Sequence, residues 1–143
     1  MITQTIYLED YDWSVRVFYG VTHLDIMPIS WSLGEMGFTS GEIRDIISDV
    51  ENLSWNHGLT YSNALHRCSI VIINVTTSAA EFQNSFDHEK GHLATHIADA
   101  YRIDLRSEEY QYLVGEIGQK LFKVAHIFMC DTCRINIYKL IED

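Results

Sequence analysis

A chain of 143 residues with 47% hydrophobic content fits one domain, residues 1–143, which can bury about two-thirds of its unfolded surface without disulfide staples. Its formal charge of −10 argues against general phosphate-backbone binding, which needs clustered Lys and Arg, so no nucleic-acid partner is expected. The longest apolar run, Ile70 to Ile73 with Val75, is strand-sized and excludes a membrane span; three cysteines that cannot all pair and the lack of a charged-then-apolar leader point to a reducing cytoplasm.

Residues 2–8 and 13–21 alternate apolar and polar and predict two strands joined by a turn at Glu9-Asp10-Tyr11-Asp12. Between Thr22 and Phe38 the signal is mixed, and Pro28, Gly34 and Gly37 punctuate a loop with one short helix. Thr39-Ser40-Gly41-Glu42 is a capping box, and Ile43, Ile46, Ile47 and Val50 carry helical spacing to about Asn52. Gly58 to Ser62 and Arg67 to Val75 read as strands, the second rich in β-branched residues. Ser78-Ala79-Ala80-Glu81 opens a long helix, and Ser107 caps another that runs to Phe122 and beyond. Arg134 to Ile141 reads as a final strand or short helix. The order predicts an α+β domain with a small antiparallel or mixed sheet packed on two long helices.

The first long helix carries His88-Glu89-Lys90-Gly91-His92, an H-E-x-x-H motif. Residues i and i+4 stack on one helical face, so two imidazoles can reach one ion with a carboxylate beside them. Zinc chemistry wants neutral nitrogen ligands, an open position for water and a base for its proton, which nominates His88 and His92 as metal ligands, Glu89 as the catalytic base and Zn²⁺ as the cofactor. At about 100° per residue, Phe82, Phe86, Leu93 and Ile97 form the core stripe, with Tyr101 just beyond it. Ser85, His88, Glu89, His92, His96 and Asp99 border that stripe. Lys90 fits the wheel poorly and is expected to snorkel. His96 stands about 12 Å along the axis from His88, too far to share the ion, and reads as a polar neighbour. The third ligand is sought on the next helix, where Glu108, Tyr112 and Gly115 share a face at i, i+4 and i+7. A close crossing at Gly115 would turn Glu108 toward the histidines; Glu116 and Glu109 compete for the same role.

His88-Glu89-x-x-His92 followed by Glu108-x-x-x-Tyr112-x-x-Gly115 resembles the gluzincin arrangement of the thermolysin-like clan. Residues 58–122 are similar to small zincin-like proteins of phage and gut-bacterial genomes. The resemblance implies a zincin-like domain, a metallopeptidase, and a Glu on the second helix as third ligand. It further implies that the strand preceding the H-E-x-x-H helix, here Arg67 to Val75, is an edge on which extended peptide pairs. One departure is that Tyr112 stands where the clan has Asp or Asn. The expected function is zinc-dependent hydrolysis of a peptide bond in a peptide or protein substrate, with Tyr112 or His96 as donor to the oxyanion. Two other readings stand beside it: a catalytically silent zincin scaffold used for binding or regulation, and an acidic phage protein that blocks a host partner. The acidic residues are scattered through amphipathic elements and fit an ordinary solvated surface.

Cys130-Asp131-Thr132-Cys133 is a lone C-x₂-C. A structural zinc site there would need Cys68, His126 or another distant His, and two small residues at the turn leaving the last long helix is the simpler reading. His23, His57 and His66 read as isolated surface or capping residues.

Overall fold

The alternation in the first twenty residues produces an antiparallel pair, β1 (Ile2–Leu8) and β2 (Trp13–Val21), in the computed structural model, which describes residues 1–142. The turn between them uses Asp12 at φ 49°, a left-handed conformation that Asp tolerates. A second hairpin, β3 (Gly58–Asn63) and β4 (Cys68–Asn74), is also antiparallel, and β4 lies parallel to β2. The result is a mixed four-stranded sheet of order β1-β2-β4-β3 in an α+β domain. The expectation that residues 67–75 form the edge is corrected here. All seven residues of β4 are buried, and a strand covered on both faces belongs inside a sheet. The edge is β3, whose six residues are all half-buried.

Among the described residues, five α-helices cover the two faces. On one side lie α1 (Ile26–Glu35) and α2 (Ser40–Glu51), whose Ile29, Leu33, Ile46 and Val50 pack with Phe38 on Phe18, Ile70 and Ile72. The helix α1 is longer than the short one expected in that segment, because Pro28 stands in its first turn, where a missing N–H costs no helical bond. Thr22 and Asp25 form a reciprocal capping box just before it. Thr39 and Glu42 form the second one, as the sequence predicts.

The other face carries α3 (Ala79–Tyr101), α4 (Glu108–Phe128) and α5 (Asp131–Glu142). Phe82, Phe86, Leu93 and Ile97 of α3 join Leu113, Ile117, Leu121, Ala125 and Phe128 of α4 on Val15, Val17, Tyr19, Val71 and Ile73. The stripe read from the sequence is therefore the buried one. Lys90 snorkels as expected: its Nζ sits 5.2 Å from the centre of the Phe86 ring and 3.4 Å from Asp87. The residues after Arg134 continue a helix, not a strand. Among the described residues no helix is long and apolar enough to cross a membrane.

Two helix placements decide where the site can be. α4 lies over β1, where Lys120 Nζ donates to the Tyr7 carbonyl at 2.9 Å and the Gln4 amide donates to the Lys120 carbonyl at 3.3 Å. α3 lies over the opposite edge, against β3. Its approach is closest at Gly58, where a Cβ would stand 2.7 Å from the Ile72 carbonyl oxygen and 2.6 Å from Glu89 Cγ. Gly115, by contrast, does not mark a close helix crossing, since a Cβ there would meet nothing within 4 Å.

These two glycines should respond oppositely to the same methyl group. Gly58→Ala forces a backbone carbonyl or Glu89 to move and should cost about 1–3 kcal/mol, as overpacking does. Gly115→Ala removes backbone freedom from the unfolded chain at an open helical position and should add roughly 0.5–1 kcal/mol. Urea denaturation of the two variants beside the parent measures both signs.

Candidate metal centre on the helix facing the sheet edge

Ser78 starts the helix that bears the motif: its Oγ accepts from the Glu81 N–H at 3.0 Å. Farther along, buried Ser85 hydrogen-bonds the Asn56 carbonyl, and Asn56 in turn accepts from the Thr77 N–H at 2.8 Å. The first turns of α3 are thus tied to the segment that leads into β3. From Gly58 onward, alternate residues of β3 face α3. Gly58 leaves room for Glu89, Thr60 donates to Glu89 Oε1 at 3.0 Å, and Ser62 meets His96 Nδ1 at 2.7 Å.

On this seam His88, Glu89 and His92 come together, with one ligand atom of each within 4.8 Å of the others. The two Nε2 atoms are 3.1 Å apart and the rings meet edge to face, their centroids 4.7 Å apart. A tetrahedral zinc ion held at 2.0–2.1 Å spans nitrogens about 3.3–3.4 Å apart, so the pair at 3.1 Å stands slightly closer than such an ion would hold it. Glu89 is 4% exposed while His88 and His92 are exposed, which puts the carboxylate on the floor and the imidazoles at the rim. One of its oxygens is held by Thr60; the other, Oε2, lies 3.9 Å from His88 Nε2. Two imidazole nitrogens converge and a carboxylate oxygen faces the same point, a group that could hold a metal ion.

The groove around these residues runs both ways along β3. On one side it is a cavity of about 430 Å³ lined by Leu53, His57 and Asn84 as well as His88 and Glu89. On the other it holds about 300 Å³, bounded by Leu59, Tyr61, His92 and His96. Burial, with the neighbouring His92 adding to it, holds the His96 imidazole below its ordinary pKa.

The α4 carboxylates do not join this cluster: among the described residues the group that could hold a metal ion is His88, Glu89 and His92, without Glu108, the expected third ligand. Tyr110 Oη stands 3.5 Å from Thr95 Oγ1 and Gly118 lies beside Lys90, so α4 runs back antiparallel along α3. Glu108, its exposed first residue, is therefore level with the far end of α3. More decisively, α4 occupies the β1 side of α3, whereas the histidines face β3. Glu109, Glu116 and Tyr112 line a separate cleft with Asp10 and Tyr11. Tyr112 is accordingly remote from the histidine pair, leaving His96 as the donor candidate in the groove.

Sequence reasoning missed the β3 contribution. Gly58, Thr60 and Ser62 recur at a period of two, a signal for one strand face, but nothing local says that the face meets the motif helix. His57, read as isolated, lines the groove beside His88. Cys130 and Cys133 are exposed and free, and Cys68 is buried in β4. Among the described residues none of them belongs to a metal-binding group, and His126 Nδ1 is engaged at 2.8 Å with the Phe122 carbonyl.

No protein-family model, no curated protein and no solved structure matches the chain.

Proposed function

We propose that the protein is a zinc-dependent peptidase of the H-E-x-x-H type, acting on an extended peptide or protein segment laid along β3. The observation that carries this reading is the convergence of the His88 and His92 Nε2 atoms, 3.1 Å apart, beside a carboxylate that is buried but open on one oxygen. His88 and His92 would hold the ion. Bound there, zinc polarises a carbonyl and acidifies a water molecule.

The remaining work falls to side chains of this chain. Glu89 Oε2, free of Thr60, accepts the proton of the attacking water and returns it to the leaving amine. The Thr60 bond to Oε1 fixes the plane of the carboxylate, so one oxygen positions and the other reacts. Among the described residues β3 pairs with β4 alone, and strand addition on its other side would bring a peptide carbonyl past the histidine pair. This reading rests on the H-E-x-x-H motif of α3 and not on the second-helix Glu of the gluzincin arrangement; Glu109 and Glu116 of α4 line another cleft.

Metal content separates the ligands from the bystanders. After dialysis against zinc, elemental analysis should find about one ion per chain; His88→Ala and His92→Ala should each remove it, while Glu108→Ala and Glu116→Ala leave occupancy unchanged. Full occupancy in the histidine variants would overturn the site.

Glu89→Gln addresses the base. An amide cannot take the water proton, so hydrolysis of casein or a mixed peptide library should fall by about 10²–10⁴-fold with zinc retained. Cleavage by the zinc-loaded Gln variant at the parental rate would refute the mechanism, and no cleavage by the zinc-loaded parent across a broad library would favour a binding scaffold.

A further inference from the structure

Behind the groove, four side chains from four elements form one continuous run of hydrogen bonds. Trp13 Nε1 of β2 is 2.8 Å from Ser69 Oγ of β4. Ser69 Oγ is 2.7 Å from Ser62 Oγ, its partner across the β3–β4 ladder. Ser62 Oγ is 2.7 Å from His96 Nδ1 on α3. Trp13 and Ser69 are essentially inaccessible, at 1% and 0% exposure, so water does not complete their hydrogen bonding.

The direction of this run follows from its inner end. An indole N–H can only donate, so Ser69 Oγ accepts from Trp13. The Ser69 hydroxyl proton then needs an acceptor of its own, and Ser62 Oγ is the one within reach. Ser62, accepting from Ser69, has one proton of its own to place, and His96 Nδ1 is the remaining acceptor that the described residues bring within reach, so the proton is directed there. The reverse order would have Ser69 accept twice and leave a fully buried hydroxyl proton unpaired, which is unfavourable. Bonds aligned in one sense also polarise one another. His96 Nδ1 is therefore an acceptor, and the neutral ring carries its proton on Nε2.

That tautomer decides what His96 can do. A ring that coordinates metal through Nε2 donates from Nδ1 to its supporting partner; here Nδ1 is the acceptor. Resting on the peptidase reading above, we propose that His96 is not a third ligand but a hydrogen-bond donor, its Nε2–H held toward the groove by the Trp13–Ser69–Ser62 chain to receive the carbonyl oxygen of the bound peptide as that oxygen gains charge. The position suits the role: His96 borders the same groove as His92, with ring centroids 6.4 Å apart. Oxygen-directed donors of this kind act most strongly in the transition state.

The tautomer can be read without activity, by long-range ¹H–¹⁵N correlation spectra of the uniformly labelled, metal-free protein. His96 should show a single Nε2–H form. Ser69→Ala frees Ser62 to donate or accept and should give a mixture of the two tautomers; Ser62→Ala, which removes the Nδ1 partner altogether, should do the same and serves if the first variant folds poorly. A purely structural role would not move this signature. An Nδ1–H form in the parent, or an unchanged Nε2–H form in both variants, would overturn the chain. Zinc should then shift the Nε2 signals of His88 and His92 and leave His96 protonated at Nε2; loss of that proton on adding zinc would make His96 a ligand and overturn the donor role. If zinc moved none of the three, the peptidase reading would fail, while the metal-free tautomer would still decide the hydrogen-bond chain. With zinc present, acetohydroxamate, which offers a carbonyl oxygen, should shift the His96 Nε2–H proton, and an unmoved proton would refute donation into the groove.

Discussion

A carboxyl group placed at the seam between a helix and a sheet edge is the constraint on which the rest of this structure turns. Burial of an unpaired polar group costs several kcal/mol, or more when it is charged, so Glu89 at 4% exposure needs both room and a donor. Gly58 supplies the room: a side chain there would run into Glu89 Cγ and the Ile72 carbonyl. Thr60 supplies the donor, reaching the Glu89 carboxylate at 3.0 Å and its backbone carbonyl at 3.3 Å. The two β3 residues are spaced so that both face α3, and fixing Glu89 between them fixes the rotation of α3. With that rotation set, His88 and His92 have no choice but to stand at the rim of the same groove.

The same rotation separates the histidine cluster from the carboxylates of α4. The apolar stripe of α3 turns Phe82, Leu93 and Ile97 into the core shared with α4 and the sheet. The histidines occupy the flank toward β3, and α4 lies on the flank toward β1. A ligand carried by α4 would have to pass through or around α3. What the fold offers near the histidines instead is the β3 segment and its approach, with His57, Thr60 and Ser62, so polar contributions to the groove come from a strand edge and not from a second helix.

Most elements were legible in the sequence because each has a local cause. Alternation marked β1 and β2, the Thr39 box marked α2, and the 3.6-residue stripe marked the buried face of α3 together with the flank that carries the motif. The misreadings have one origin, which is that contacts between distant segments leave no local trace. Gly115 looked like a helix crossing because small residues permit one, but permission is not contact. The β-branched run in residues 67–75 signalled a strand, but its edge assignment came from resemblance and not from the run itself. Pro28 lowered the expectation of a helix that it is well placed to begin.

The C-x₂-C segment shows how a motif can draw attention from the residues that matter. Between and beside the two exposed cysteines stand Asp131 and Arg134. Asp131 Oδ1 accepts from the Ala79 N–H at 2.7 Å, and the Arg134 guanidinium donates to the Thr76 and Thr77 carbonyls. Arg134 is 6% exposed, and a buried guanidinium is retained only where its donors are used, although its Nε finds no partner among the described residues. Tyr138, one turn on, accepts from the Thr76 N–H at 3.1 Å and meets the Thr76 hydroxyl at 3.1 Å. The first turns of α5 therefore clasp the segment joining β4 to α3 at its carbonyls and at the first N–H of the helix. Ser85, by bonding the Asn56 carbonyl, anchors the next turns to the approach of β3. Held at its start by α5, at its middle by Glu89 on β3 and at His96 by the Trp13 chain, α3 has its motif face pinned along its length. Such pinning is the condition for two exposed imidazoles to keep a fixed mutual spacing, and a group held in this way would lose less freedom on taking up a ligand.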